Sequence, residues 1–435
     1  MTRRSGRSPA DGFTTIEMMV ATVIFFVLAL AILGVLSANE GNKRTTTSVN
    51  DIDQSGNYAL YRLSNLIRPS GSGFSGKSIA PPGSGIPADW QKSYGCLINA
   101  VSGGTTLLPT AAALAKPFDK VLGITGSPRL APVIIVANGS KLTSSTTPAN
   151  TSDVLIVMSS TAGFAQAGMP FTGQASGAIL NLLNSIGVFP NDLLLIADTP
   201  AGGPAGPCLV EQAASTFTAA TATTASSSAV PLAGTYYTAN ATTQNLSAYS
   251  INSVVFDIGN ISDNHPPRFQ MFGVGPDTSN SNATTAISRA LYSYDLLQAA
   301  STTPDLMAGG VYEIHALYGI DPGGTGAVTA WADPSVAPWD AATLLNGSAT
   351  SAQNIISIKA IRLGLVLRTS LLEKPITTSG TPQPVSPATL TLFSDLSDAS
   401  GTSLKHTIDL TDTNYGRNYR WRTFESTIAL RNPLS

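Results

Sequence analysis

The feature that most constrains this chain is an apolar run near its start, Met18 to Leu36 (MMVATVIFFVLALAILGVL), nineteen residues with Thr22 as the one polar member. No charged residue occurs from Met18 through Asn39. A helix needs about 20 such residues to cross a hydrocarbon core. The segment 18–39 is therefore expected to be transmembrane, and no other run in the 435 residues approaches its length. Arg3, Arg4 and Arg7 precede it, so the short N-terminus is expected to stay cytoplasmic and the rest to be exported.

Composition narrows what the exported part does. Charged residues make up 11% of the chain and the net charge is −2, with neither sign clustered in the body. Direct nucleic-acid binding needs a basic face and is not expected. Only three histidines occur, His265, His315 and His406, and none has a metal-ligand spacing relative to another. Asp395, Asp398, Asp409 and Asp412 lack the calcium-loop pattern and read as solvated loops. Gly323-Gly324-Thr325-Gly326 has no phosphate-loop lysine and reads as a turn. No catalytic residue, cofactor or metal site is assigned, and an anchored enzyme has no supporting constellation.

The junction before the apolar run carries more. Gly12-Phe13-Thr14-Thr15-Ile16-Glu17-Met18 places an acid at the fifth residue after Gly12. One reading is a first-turn carboxylate favoured by the helix dipole. The other is a prepilin signal, and here the segment resembles the type IV pilin superfamily: a basic leader ending in Gly, then Phe, then Glu at the fifth mature position. Thr15, where Leu is commoner, and Asp11 depart from that pattern. The resemblance implies a leader 1–12, cleavage after Gly12 and N-methylation of Phe13 by a prepilin peptidase. It also implies a role for Glu17 in subunit register. A carboxylate and an amine in hydrocarbon are expensive unless paired. Glu17 paired with a neighbour's N-terminal amine allows one axial offset.

Beyond the membrane run, Val49, Ile52, Ala59, Leu60, Leu63, Leu66 and Ile67 recur mostly at three- and four-residue intervals, an amphipathic helix. Arg68-Pro69 and Gly71 should stop it. The helix is expected over 13–68, its part from Phe13 to Ile67 spanning roughly 82 Å at 1.5 Å per residue, with a break near Gly34 or Gly41 as the alternative.

Residues 69–435 read as a β-rich exported domain with long loops. Strand-like runs stand at Pro132–Ala137, Asp153–Ser159, Asp192–Asp198, Cys208–Gln212, Ser253–Phe256, Arg268–Val274 and Ala290–Leu297, and again at Gly310–Tyr318, Ile355–Arg368, Leu404–Asp409 and Arg420–Leu430. With no alternating βαβ pattern, the fold class is α+β, a long helix packed on mainly antiparallel sheet. Residues Ala213–Val230, nearly all Ala, Ser and Thr, read as an exposed loop.

Three later blocks resemble PilW-type minor pilins: Gly310–Asp321 (GVYEIHALYGID), Ile358–Arg368 (IKAIRLGLVLR) and Tyr419–Asn432 (YRWRTFESTIALRN). The resemblance implies a minor pilin of a type IV pilus, at or near the tip and helping to initiate assembly. Its partners would be other minor and major pilins, the prepilin peptidase and the inner membrane. The protein would be inner-membrane and single-pass before assembly, and extracellular in the pilus afterwards. A minor pseudopilin of a type II secretion system is the alternative. Cys96 and Cys208 are the only cysteines, 112 residues apart. In an oxidising compartment they suit one disulfide, with two buried free thiols as the other reading.

Overall fold

The computed structural model describes residues 12, 14–74, 93–109, 114–121, 128–141, 151–162, 168–198, 207–219, 228–239, 245–249, 251, 253–262, 265–277, 288–297, 303–378, 381–411 and 416–430. One helix runs without interruption over Thr15–Ile67, so neither Gly34 nor Gly41 breaks it. The chain divides into two units, Met1–Asp51 and Ile52–Ser435.

In the first unit, the side chains from Ile16 to Leu36 that define the apolar run stand open; Phe25, Leu30 and Leu33 are all more than 60% exposed. No apolar side chain of this helical stretch is buried among the described residues. The stretch is apolar on every side, as a helix is when lipid or other helices are its solvent.

In the second unit the same helix becomes one-sided. Ile52, Gly56, Ala59, Leu63 and Ile67 are buried at spacings of four, three, four and four, and the apolar ones among them join the main core. Gly56 has a steric reason: an added Cβ would stand 2.3 Å from Cε2 of Phe424 on the C-terminal strand. The helix ends where Pro69 was expected to end it. Gly73 follows at φ +83°, where a Cβ would meet that of Ser160 at 2.3 Å, so the exit turn requires glycine twice over.

Three sheets surround that core. The first has the order Thr105–Leu108, Ile98–Ser102, Cys208–Gln212, Asp192–Asp198, Ser253–Asn260, Met169–Pro170; the second Asp305–Gly309, Arg289–Asp295, Arg268–Pro276, Thr151–Ser159, Val133–Lys141; the third Ala330–Ala332, Val311–Ile320, Ile358–Arg368, Trp421–Ala429. Neighbours are antiparallel except Ile98–Ser102 with Cys208–Gln212, where Ile98 pairs with Cys208 in parallel. The fold class is α+β.

Alternation places side chains on two faces of each strand. In Asp192–Asp198, Leu193, Leu195 and Ala197 enter the main core, while Leu194 and Ile196 enter a second cluster with Phe171, Phe217 and Val230. In the third sheet, Ile314, Ala316 and Tyr318 face the main core. Tyr312 and Leu317 face a third cluster with Leu392, Phe393 and Ile408, contributed by the hairpin Thr389–Leu392 and His406–Asp409 and the turn after its first strand.

Two expectations are corrected. The run Ile355–Arg368 is not all strand. A helix occupies Ala349–Ser357, started by Ser348 accepting from the Ser351 amide, and the strand begins at Ile358. Nor is Ala213–Val230 simply an exposed loop. Ala213, Ala214, Phe217 and Val230 are buried, and Ala229–Pro231 is a strand; residues 220–227 lie outside the described residues.

Candidate functional site

The N-terminal turn is built around Thr14. Its hydroxyl accepts from the Glu17 amide at 3.3 Å, and Glu17 Oε2 accepts from the Thr14 amide and hydroxyl, each at 3.0 Å. This is a reciprocal capping box: each side chain satisfies an amide that the first helical turn leaves without a partner. Glu17 therefore sits on the first turn, exposed, at the threshold of the apolar run. Gly12 is exposed, with nothing within 4 Å of the position a Cβ would take. Phe13 lies outside the described residues.

Cys96 and Cys208 form a disulfide with Cα atoms 5.7 Å apart. Both are buried. Cys96 lies two residues before the strand Ile98–Ser102, and Cys208 opens its parallel neighbour. The bond clamps a pairing whose partners, Ile98 and Cys208, lie 110 residues apart in sequence. In the chain-entropy account, such a loop is worth about 4.7 kcal/mol, often less.

The arginines and aromatics near the C-terminus serve the third sheet. Arg362 reaches Glu425 at 2.9 Å and Asp395 at 3.2 Å, Arg420 reaches Glu373 at 2.6 Å, and Arg422 reaches Asp53 on the long helix at 3.6 Å. Trp421 packs edge-on against Tyr312 with ring centroids 4.9 Å apart, and Arg368 lies 4.2 Å over the Tyr312 ring. The first four contacts pair arginines with carboxylates, and the last two stack Arg368 and Trp421 on Tyr312. Asp398 and Asp409 cap turns through Ser400, Thr402 and Thr411, which holds both carboxyls below their ordinary range. Asp412 and Arg431 lie outside the described residues.

Sequence reasoning missed two buried polar groupings. Asp192 and Asp257 are both buried on adjacent strands of the first sheet. Burial first, and then the neighbouring Asp192 charge, push the Asp257 carboxyl up to about 8. Separately, His315 is buried against Glu313 and Asp153 and stacks on His406 at 3.9 Å between ring centroids. Burial works against charge on His315, but its hydrogen bond to Glu313 and the charges of Asp153 and Glu313 outweigh it, leaving its pKa raised. His406 is pushed down to about 4, by burial and then by His315. Ninety-one residues separate these histidines in sequence, and the hairpin brings them together.

With this geometry in place, residues 274–432 match the family model PilW, described as type IV pilus-assembly protein W. This part of the chain is PilW-like. The match takes in the whole third sheet, its covering hairpin and two strands of the second, and connects the chain to type IV pilus assembly. That family is one of assembly proteins. No curated protein and no solved structure matched the chain. The apolar helix is long and apolar enough to cross a membrane.

Proposed function

We propose that this chain is a minor pilin of a type IV pilus, incorporated at or near the tip and helping to initiate assembly. The observation that carries the reading is the presence, in one chain, of the PilW-like sheet and a helix that opens on Glu17 and is apolar on every side over Ile16–Leu36. In this reading residues 1–12 are a leader. Prepilin peptidase cuts after Gly12 and methylates Phe13, and the subunit waits in the inner membrane with its N-terminus inside. In the fibre, the Glu17 carboxylate meets the Phe13 amine of a neighbouring pilin and sets axial register.

The capping box provides a way to separate the two roles of Glu17. Glutamine also serves at the third helical position of a capping box, so Glu17→Gln keeps the cap and deletes the charge. Glu17→Gln and Glu17→Ala are both expected to insert and to be processed, with methylated Phe13 as the first residue by mass spectrometry. Both are expected to be depleted from sheared fibres by tenfold or more. Recovery of Glu17→Gln in fibres at the parent level would remove the charge-pairing role, and a mature N-terminus at Met1 would remove the prepilin reading.

A further inference from the structure

Glu313 and His315 are two residues apart on the strand Val311–Ile320, so they project from one face of it. His406 opens the second strand of the covering hairpin and brings its ring against that face. One donor atom each from Glu313, His315 and His406 lies within 4.8 Å of the other two. We propose that Glu313, His315 and His406 bind a divalent transition cation of the zinc class, which fastens the hairpin 389–409 to the third sheet.

Distances support a shared ion. His315 Nε2 and Glu313 Oε2 are 3.1 Å apart. Two ligand atoms bound to one ion at 2.0–2.1 Å are separated by roughly 2.9–3.4 Å, from octahedral to tetrahedral angles. The rings of His315 and His406 are closer than two imidazoles on one ion, whose centroids lie roughly 4.5–5 Å apart. His406, the half-buried member, has to swing outward by about 1 Å, toward the adjoining cleft.

The surroundings are those of a metal ligand set. On the far side of the His315 ring, Nδ1 lies 3.7 Å from Asp153 Oδ2. Asp153 is itself fixed by the amides of Asn138 and Ala316, each at 3.0 Å. A carboxylate behind a ligating imidazole orients the ring and raises its basicity. Arg289 stands 4.0 Å from the other Glu313 oxygen, Oε1, leaving Oε2 toward the histidine. A cleft of about 260 Å³ adjoins the cluster, lined by His315, His406, Asp153 and Asp333. It supplies an access route and room for a water as fourth ligand. Two imidazoles and a carboxylate with no thiolate favour zinc, copper or nickel over calcium and magnesium, which prefer all-oxygen sites.

The test uses the full-length, untagged chain in detergent, stripped with chelator and titrated with Zn²⁺ alone. Bound metal after equilibrium dialysis is expected to reach one per chain, with micromolar or tighter affinity and a raised Tm. X-ray absorption at the zinc edge should show two imidazole nitrogens and carboxylate or water oxygen at about 2.0–2.1 Å, with no sulfur. His406→Ala, chosen because that ring is only half buried, should weaken binding at least 100-fold. Lys120→Ala, an exposed side chain outside that cleft, should leave binding unchanged. The absorption spectrum of the parent protein stands whether or not the His406 variant folds. Failure to take up stoichiometric zinc overturns the proposal. So does a spectrum without two imidazoles, or a folded His406→Ala protein that binds as tightly as the parent.

Discussion

Between Thr15 and Asp51 the long helix buries no apolar side chain among those described, whereas from Ile52 to Ile67 it buries four, Ile52, Ala59, Leu63 and Ile67. Both stretches share one hydrogen-bonded backbone, so backbone propensity cannot account for the difference. Pattern does. Over Ile16–Leu36 the first stretch is apolar on all sides and is left uncovered by the described residues; the second carries a stripe that its own sheets cover. Helix formation and helix burial are thus separate instructions, written in the same residues.

The strongest test of that contrast is a matched pair of truncations. Leu63→Ala, at a fully buried position, should cost about 2–5 kcal/mol of domain stability. Leu30→Ala, 70% exposed, should stay within about 0.5 kcal/mol. Denaturant titration reads both, and equal losses would break the comparison. A charge should bring the exposed position level with the buried one: Leu30→Lys is expected to cost about 2.5–3.5 kcal/mol in membrane insertion. The Lys variant should leave the membrane fraction while the domain keeps its parental melting temperature.

A pH series isolates the second unit. Asp257 holds its proton in the fold up to about 8, against 3.8 for the ordinary group. The folded state thus binds a proton that the unfolded chain has released. Stability from this group is complete below pH 3.8 and is lost as the pH rises through 8. Tm should fall by several degrees between pH 6 and pH 9, and Asp257→Asn should flatten that limb. An unchanged slope in the variant would assign the effect elsewhere.

The smallest expected effect is the most local. Replacing glycine by alanine inside a helix gains up to about 1 kcal/mol in propensity. Gly34→Ala, where a Cβ meets nothing within 4 Å, should be neutral or slightly favourable to folding. Gly56→Ala must displace the Phe424 ring and should instead lose about 1 kcal/mol. The same substitution would then have opposite signs on the two stretches, read as a shift in Tm.

The features legible in the sequence were those set by local chemistry. Pro69 and the glycines after it marked the helix end to within a residue or two. The two cysteines, read against an exported body, pointed to the bond that the structure contains. Where local signals competed, the reading failed. Ile355 and Ile356 looked like strand, but Ser348 starts a helix that takes them first. The hairpin Ile98–Ser102 and Thr105–Leu108 was announced by Gly103-Gly104, both at positive φ, yet its strands are too short and polar to stand out. The buried polar groupings were beyond reach for another reason. Asp192 with Asp257, and His315 with His406, meet only through strand order and hairpin placement, which no window of residues encodes. The i, i+2 spacing of Glu313 and His315 was the one available hint.

The disulfide also decides how the molecule carries load. A chain pulled between its long helix and its C-terminal strand passes tension from Cys96 directly to Cys208 through sulfur. The segment between them spans 112 positions, a contour of roughly 370–400 Å when fully extended. With the bond closed, that length is withheld from extension. Reduction would return it to the force path, turning a short, stiff tether into a long, compliant one without changing a single residue.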